Sequence, residues 1–292
     1  MFSARVLADS LSVTNVRLST LEVTLPRLVL AELNTHRMFS RNSASSRAIP
    51  VEKQIERVKT NPFVPQAFGA NQKGMQSGKA LDDAAQAEAH AAWMLGMERA
   101  VDTAQMLVDS GVHKQWANRV LEPFMWQTVI VSATDWKNFF KLRISGDAQP
   151  EIRKAAELMR DALDDSEPRQ VNFDEWHLPL FDPEDWDDVI ANFDDPMRKA
   201  CMISAGRCAR VSYLTHDGKR DLQADVDLAE RLRISGHWSP FEHVASPLTY
   251  PTQYDGNFRG WRQFRTDLEK GTGNVISILT AKSARKYQPW RP

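Results

Sequence analysis

The stretch from Asn34 to Arg47 combines residue types that bind anions. It holds three arginines, one histidine, four serines, two asparagines and one threonine, and it has no acidic residue. Arginine supplies positive charge and paired donors, and short hydroxyl side chains let a phosphate approach closely. An ordinary polar loop mixes charges of both signs, so the stretch predicts a phosphate or nucleotide site.

A second polar group, Gly236–His243 (GHWSPFEH), follows a predicted helix. Its Gly-His and Ser-Pro pairs are typical of a tight turn. His237, Glu242 and His243 are metal-ligating residue types, but their spacing fits no common zinc pattern and neither cysteine lies near them in the sequence. A turn with one buried histidine is therefore the favoured interpretation, and no metal is predicted.

Two further stretches interleave basic and aromatic residues. Asn138–Arg143 (NFFKLR) is typical of an amphipathic helix with basic ends. In Gly256–Arg265 each arginine is followed or preceded by an aromatic residue, which is a pattern that could stack on nucleic-acid bases. The alternative is that Trp261 and Phe264 pack against the core from a helix, with the arginines outside, and this interpretation is favoured.

Composition limits the classes of protein. The chain has 292 residues, 42% apolar and 26% charged, with a formal net charge of −1, which is globular and excludes disorder as the main state. The near-zero charge disfavours a protein that coats nucleic acid non-specifically. No apolar run predicts a membrane span, and Met1–Ser10 does not read as a secretory signal. Cys201 and Cys208 predict buried structural thiols rather than a disulfide framework, so we expect a cytoplasmic protein.

The apolar periodicity predicts mostly helices with few strands, and no G-x-G-x-x-G or Walker A loop is present. We therefore expect an α+β fold around a small sheet, in one domain over residues 1–292. An acidic surface excursion is expected at 181–195 and a basic extension at 251–292. The predicted strands are Val16–Leu25 and His243–Tyr250. The predicted helices are one opened by Pro26, then Leu81–Ser110, Gln115–Ile144 with a kink or a division at Pro123, Pro150–Leu163, Pro196–Val211 and Leu222–Ile234.

Together these motifs resemble the flavin-dependent thymidylate synthase family. Its signature Arg-His-Arg-x-x-Ser-x-Asn-x-x-Ser-x-Arg is matched here from Thr35 to Arg47, with Thr35 in place of the first arginine. Gly236–His243 matches a second family element, and Arg207–Tyr213 resembles its Ala-Arg-Val-Ser segment. In the family both of these precede the signature, whereas here they follow it. The sequence therefore resembles a circular permutation of the family.

The resemblance implies a helix-rich fold with a small, mainly antiparallel sheet and a homotetramer whose sites are shared between subunits. It implies transfer of a methylene group from methylenetetrahydrofolate to C5 of dUMP, with hydride from FAD reduced by NADPH and without a cysteine nucleophile. Arg143 would lie beside the uracil and favour its N3-deprotonated form, as an adjacent cation does. The implied FAD-binding residues are His36, Arg37, Asn138, Ser212, Ser239 and Glu242. The implied dUMP-binding residues are Glu32, Ser45, Ser46, Arg47, Arg119 and Arg143.

Thr35 departs from the family pattern because it removes a positive charge near both implied ligands. We hypothesise that Arg259 or Arg262 from the basic extension replaces that charge. Two other functions stay open at this point. One is a related enzyme that makes another C5-modified pyrimidine nucleotide, such as a hydroxymethylated one. The other is a nucleic-acid-binding protein that uses the arginine-rich stretch and the basic extension.

Overall fold

The computed structural model describes residues 1–211 and 221–270. Among them nine strands are formed: β1 Ser3–Ser12, β2 Arg17–Pro26, β3 Ser40–Ser43, β4 Trp126–Ala133, β5 Arg169–Val171, β6 Ala245–Pro247, β7 Tyr254–Asp255, β8 Phe258–Arg259 and β9 Trp261–Gln263. The described helices are α1 Leu30–Asn34, α2 Val51–Thr60, α3 Asp83–Asp109, α4 Lys114–Ala117, α5 Lys137–Arg143, α6 Pro150–Asp164, α7 Asp185–Asn192, α8 Pro196–Arg210, α9 Leu222–Ile234 and α10 Phe264–Glu269.

A five-stranded sheet of order β3-β4-β2-β1-β5 organises the fold. All of its neighbouring strands are antiparallel except β1 and β5, which run parallel. Asn15 adopts a φ of 63° in the tight turn between β1 and β2, a conformation that asparagine tolerates better than most residues. The predicted α+β fold with a small, mainly antiparallel sheet is therefore confirmed.

Helix α6 covers one side of the sheet. Its buried residues Ile152 and Met159 pack in one cluster with Leu21 and Val23 of β2 and with Val131 of β4. Helix α5 follows β4 and is joined to α6 by a short turn. The packing of α6 on the sheet therefore fixes the direction in which α5 leaves the sheet. The carboxyl end of α5 is thereby held beside the turn that follows α1.

Helix α8 forms the centre of a second core with α7 and α9. Most of its residues are buried, including both cysteines, as the sequence predicts. Gly206 lies against the backbone of Asp225 in α9, where a Cβ atom would collide with the Asp225 carbonyl oxygen. Burial raises the pKa of the Cys208 thiol, so this side chain is a protonated, structural one.

The predicted helix Gln115–Ile144 is wrong. The segment instead contains α4, a 3-10 helix over Asn118–Phe124, strand β4 and helix α5. Strand β4 lies between β2 and β3, and six of its eight residues are buried. Since both faces of this strand are covered, its residues do not alternate between apolar and polar, and periodicity cannot distinguish them from a buried helix. Strand β1 was not predicted at all.

The predicted acidic surface excursion at 181–195 also needs correction. This segment forms α7, in which Trp186 and Val189 are buried in the second core. Asp185 is buried as well and forms an ion pair with Arg207 of α8. Asp187 and Asp188 do lie on the surface, so the acidic composition describes one face of a packed helix rather than a solvated segment.

The first part of the basic extension also packs against the protein. Phe258, Trp261 and Phe264 are all fully buried, but Trp261 lies in strand β9 rather than in a helix. The aromatic residues that could have stacked on nucleic-acid bases are therefore part of the core. Residues 271–292 lie outside the described part of the chain. Within the described part, no helix is long and apolar enough to span a membrane.

Candidate active site

Arg143, the last residue of α5, reaches back to the end of α1. Its Nε donates to His36 Nε2 at 2.9 Å, and its Nη2 donates to Thr35 Oγ1 at 3.2 Å and to the Glu32 carbonyl at 3.4 Å. All three acceptors are neutral groups. Within residues 1–211 and 221–270, the guanidinium is therefore held in place without a carboxylate partner, and its charge can act on an anionic ligand.

His36 is buried against aromatic rings beneath Arg143. Its ring meets Phe139 edge-on, with centroids 4.9 Å apart. Burial lowers the pKa of His36, and the neighbouring charges of Arg143 and Arg41 lower it further. The imidazole is therefore neutral at pH 7, and because Nε2 accepts from Arg143, the proton is assigned to Nδ1.

Thr35 and Arg41 hold the turn that carries His36. Thr35 Oγ1 accepts from Arg143 and donates to the Glu32 carbonyl at 2.7 Å. Arg41 Nη1 donates to the carbonyls of Leu33, Asn34 and His36 at 2.9–3.3 Å. These carbonyls lie at the end of α1, where a cation is stabilised by unpaired carbonyl groups. The signature motif gives Arg41 no role of its own, although the preference of cations for the carboxyl ends of helices could have indicated one.

Ser45, Ser46 and Arg47 form a turn after β3. Ser45 Oγ accepts from the Arg47 backbone N–H at 3.3 Å, and both residues are exposed. Ser46 is buried, and its carbonyl accepts from Asn118 Nδ2 at 2.6 Å, whereas its hydroxyl has no partner within the described ranges. Asn118 thus ties the turn to the 3-10 helix that carries Arg119. Arg119 is exposed and pairs with Glu122 at 3.0 Å.

The Gly236–His243 element lies beside the signature. Its 3-10 helix, Ser239–Glu242, packs against β3. Gln263 connects the two, because its Nε2 lies within 3.1 Å of Ser40 Oγ and within 3.3 Å of the Glu242 carbonyl. The Glu242 carboxylate accepts from Arg265 at 2.6 Å, a contact that the sequence did not predict.

The remaining predicted residues are exposed or outside the described ranges. Arg37, Asn138 and Ser239 have exposed side chains around the signature and the two elements next to it. Ser212 lies in the undescribed segment 212–220. Arg262 pairs with Asp267 at 3.3 Å, and Arg259 is exposed. The hypothesis that one of them replaces the charge missing at Thr35 stays a prediction.

Two buried histidines link this element to the central sheet. His243 Nδ1 bonds Ser132 Oγ at 2.7 Å, Ser132 bonds Thr20 at 2.5 Å, and Thr20 bonds His177 Nε2 at 2.7 Å. His177 Nδ1 in turn bonds Ser10 Oγ at 2.8 Å. Burial lowers the pKa of each histidine to about 3. His243 is thus a neutral structural residue, and the residues described contain no cluster of three metal-ligating side chains.

Comparison with known proteins identifies a family for this chain. The family model described as thymidylate synthase complementing protein matches residues 8–169, more than half of the chain. A crystal structure of the UMP/dUMP methylase PolB from Streptomyces cacaoi, bound with 5-Br UMP, is similar at 19% identity and a TM-score of 0.48, over 56% of this chain and 88% of that one. No curated protein matches the sequence. By the match to its model, the chain belongs to the thymidylate synthase complementing protein family.

Proposed function

We propose that this protein methylates dUMP at C5 to give dTMP, with methylenetetrahydrofolate as carbon donor and FAD reduced by NADPH as hydride source. The observation that carries the proposal is the placement of Arg143, which is oriented by His36 and Thr35 and has no carboxylate partner among these contacts. Membership of the family supports the reaction class.

On the substrate side, the proposal assigns the phosphate to the exposed turn after β3. Ser45, Arg47 and Arg119 supply hydroxyl and guanidinium donors there, and Ser46 holds the turn through Asn118. Arg143 faces the uracil edge with Glu32. A fixed cation next to N3 favours the deprotonated ring, which is more electron-rich at C5.

The residues proposed to bind FAD can contact its pyrophosphate and its hydroxyl groups. Arg37 is an exposed cation for the pyrophosphate, and Asn138 and Ser239 are exposed groups that can bond the ribityl and ribose hydroxyls. His36, neutral and anchored, and Glu242 complete the described set, with Ser212 beyond it. When bound, the flavin supplies the hydride that reduces the transferred carbon. Arg265 holds the Glu242 carboxylate in one orientation for this role.

We also propose that the chain is circularly permuted and assembles as a homotetramer. Supporting the permutation, the family match ends at residue 169, before Arg207–Tyr213 and Gly236–His243. The second of these elements nevertheless packs against β3 of the signature. A permuted chain can keep its site in this way when the joined ends lie at the surface.

The test is tritium release from dUMP labelled at C5, with methylenetetrahydrofolate, NADPH and FAD present or omitted in turn. We expect release that requires folate and flavin, and a product with the mass of dTMP rather than of a hydroxymethylated nucleotide. Arg143→Lys should lower kcat by about a hundredfold to a thousandfold, the usual cost of removing one fixed donor at a developing charge.

The matched control is Arg160→Lys, a conservative change at a partly exposed arginine of α6. It should leave the rate unchanged. Release without flavin, or equal rates for the two lysine variants, would contradict the proposal.

A further inference from the structure

Three segments that are far apart in the sequence meet at the side chain of Gln263. This residue is the last one of β9 and is only 2% exposed. Its Nε2 lies 3.1 Å from Ser40 Oγ, 3.3 Å from the Glu242 carbonyl oxygen and 2.9 Å from Asn257 Oδ1. One buried amide group therefore joins strand β3 of the signature, the 3-10 helix Ser239–Glu242 and the turn between β7 and β8.

Asn257 adds two more contacts with the signature. Its Nδ2 donates to the Met38 carbonyl at 3.0 Å, and its Oδ1 accepts from Ser40 Oγ at 3.1 Å. Because an amide has separate donor and acceptor atoms, Asn257 can hold a backbone group and a hydroxyl of the signature at the same time. Met38 directly follows Arg37 in the chain, so these bonds restrict the position of a residue proposed to bind FAD.

Glu242 is held at both of its ends by residues of the basic extension. Gln263 contacts its carbonyl oxygen, and Arg265 donates to its carboxylate at 2.6 Å. The position of the Glu242 side chain relative to the signature therefore depends on the extension as well as on the packing of the 3-10 helix against β3.

The turn between β7 and β8 is built to hold the Gln263 amide. Gly256 in this turn has a φ of 58°, which favours glycine, and a Cβ atom there would collide with Gln263 Oε1. The Gln263 backbone N–H donates to Asp255 Oδ2 at 2.8 Å, and the other oxygen of this carboxylate accepts from Thr266 Oγ1 at 3.0 Å. The amide is therefore oriented by its own segment, independently of its contacts with the signature.

The same segment is attached to the central sheet by other contacts. Trp261 is fully buried, and its Nε1 donates to the Val16 carbonyl at 3.1 Å, just before β2. The Arg259 backbone N–H donates to Thr134 Oγ1 at 3.0 Å, just after β4. A substitution of Gln263 should therefore disturb the junction and leave the segment in its place.

The location of the junction separates a positioning role from ordinary packing. Among the described residues, both acceptors of the Gln263 amide outside its own segment belong to elements proposed to bind FAD. We propose that Gln263 and Asn257 are positioning residues for FAD. They set the separation between Arg37 and Glu242, two residues proposed to bind the cofactor. The inference rests on the proposed function, from which these FAD-binding roles are taken, and it makes the basic extension part of the site.

The experiment measures FAD binding to the flavin-free, full-length protein by quenching of flavin fluorescence, and dUMP binding by calorimetric titration. The variant is Gln263→Met, which keeps the length of the side chain and removes the amide. FAD affinity should fall about tenfold to a hundredfold, as expected when a buried polar junction loses its hydrogen-bonding group. The affinity for dUMP should stay unchanged, because the turn proposed to bind its phosphate is held by Asn118.

The matched control is Gln253→Met, the same substitution at an exposed glutamine directly before β7. It should bind FAD like the wild type. Asn257→Ala is a second variant of the junction at a partly exposed position, and it serves where Gln263→Met does not fold. It removes the contacts with Met38 and Ser40 and should weaken FAD binding about tenfold.

The outcomes separate this inference from the proposed function. Unchanged FAD affinity in Gln263→Met and Asn257→Ala would overturn the inference even if the wild type releases tritium. Equal losses of FAD and dUMP affinity would also overturn it, because they would show a general loosening of the fold. A selective loss of FAD affinity in a protein that releases no tritium would uphold the inference while the proposed function fails. A wild-type protein that binds no FAD would overturn both.

Discussion

The guanidinium groups of Arg143 and Arg207 each donate several hydrogen bonds, but their partners differ in charge. Arg207 is 7% exposed and bonds two carboxylates, Asp185 at 2.5 Å and Asp225 at 2.9 Å. Arg143 is partly exposed and bonds an imidazole, a hydroxyl and a carbonyl. The first arginine is neutralised where it lies, whereas the second is positioned and left charged.

This difference distinguishes an arginine of the core from one that we propose to act on a substrate. Both residues belong to segments that resemble the family, so motif membership alone does not distinguish them. Arg207 joins α8 to α7 and α9, and its charge is used within the core. Arg143 lies where a ligand can approach, so its charge can act on a substrate.

The largest expected effect follows from removing the charge of Arg207. Arg207→Leu leaves Asp185 buried without its cation and leaves Asp225 with Arg210 alone, and breaking a buried ion pair typically costs about 3–5 kcal/mol. The free energy of unfolding in urea should fall by this amount. Arg143→Leu should lower the same free energy by only about 1 kcal/mol, because its partners are neutral groups and no buried charge is left unpaired, while it abolishes tritium release.

Equal losses of stability in the two leucine variants would break the comparison. The matched control is Arg160→Leu at a partly exposed position of α6, which should change neither stability nor activity noticeably.

Lowering the pH should destabilise the folded protein through its two buried histidines, whereas an exposed histidine should contribute little. Burial lowers the pKa of His177 and His243 to about 3, whereas an unfolded histidine titrates near 6.5. The unfolded state therefore binds more protons below pH 6.5, and stability falls as the pH decreases from about 6.5 towards 3. Each histidine should lower the free energy of unfolding by about 1 kcal/mol between pH 6 and pH 5.

Urea unfolding at pH 7, 6 and 5 measures this slope. His177→Gln keeps hydrogen-bonding groups between Ser10 and Thr20 but cannot titrate, so the variant should show a smaller slope. His113→Gln is the control at an exposed histidine and should leave the slope unchanged. An unaltered slope in His177→Gln would show that the histidine gains its proton without unfolding.

The sequence was sufficient to locate the signature and to predict several helices. Amphipathic segments such as α6 and α9 have apolar residues at helical spacing and recognisable residues at their ends. It was not sufficient for β4. This strand is covered on both faces by the fold, and its apolar run has no period of its own. The acidic segment was misjudged for a related reason, since the buried partner of Asp185 lies on another helix.

In the site, too, the motifs identify individual residues, whereas the contacts between distant residues depend on the fold. Motif matching selected His36 and Arg143, which the structure brings into contact across more than a hundred residues. In the motif, Thr35 is recognised only as the residue that replaces the first arginine. The structure shows Thr35 as a link between Arg143 and α1, a role that depends on where α5 ends and cannot be read from the signature alone.

The smallest expected effect tests that link. Thr35→Val keeps the shape of the side chain but removes the hydroxyl that accepts from Arg143 and donates to the Glu32 carbonyl. Losing one hydrogen bond to a charged group should lower kcat/KM for tritium release about tenfold. The free energy of unfolding should hardly change because Thr35 is exposed. Thr35→Ser restores the hydroxyl and should recover most of the rate, whereas a valine variant as fast as the wild type would show that His36 positions Arg143 without Thr35.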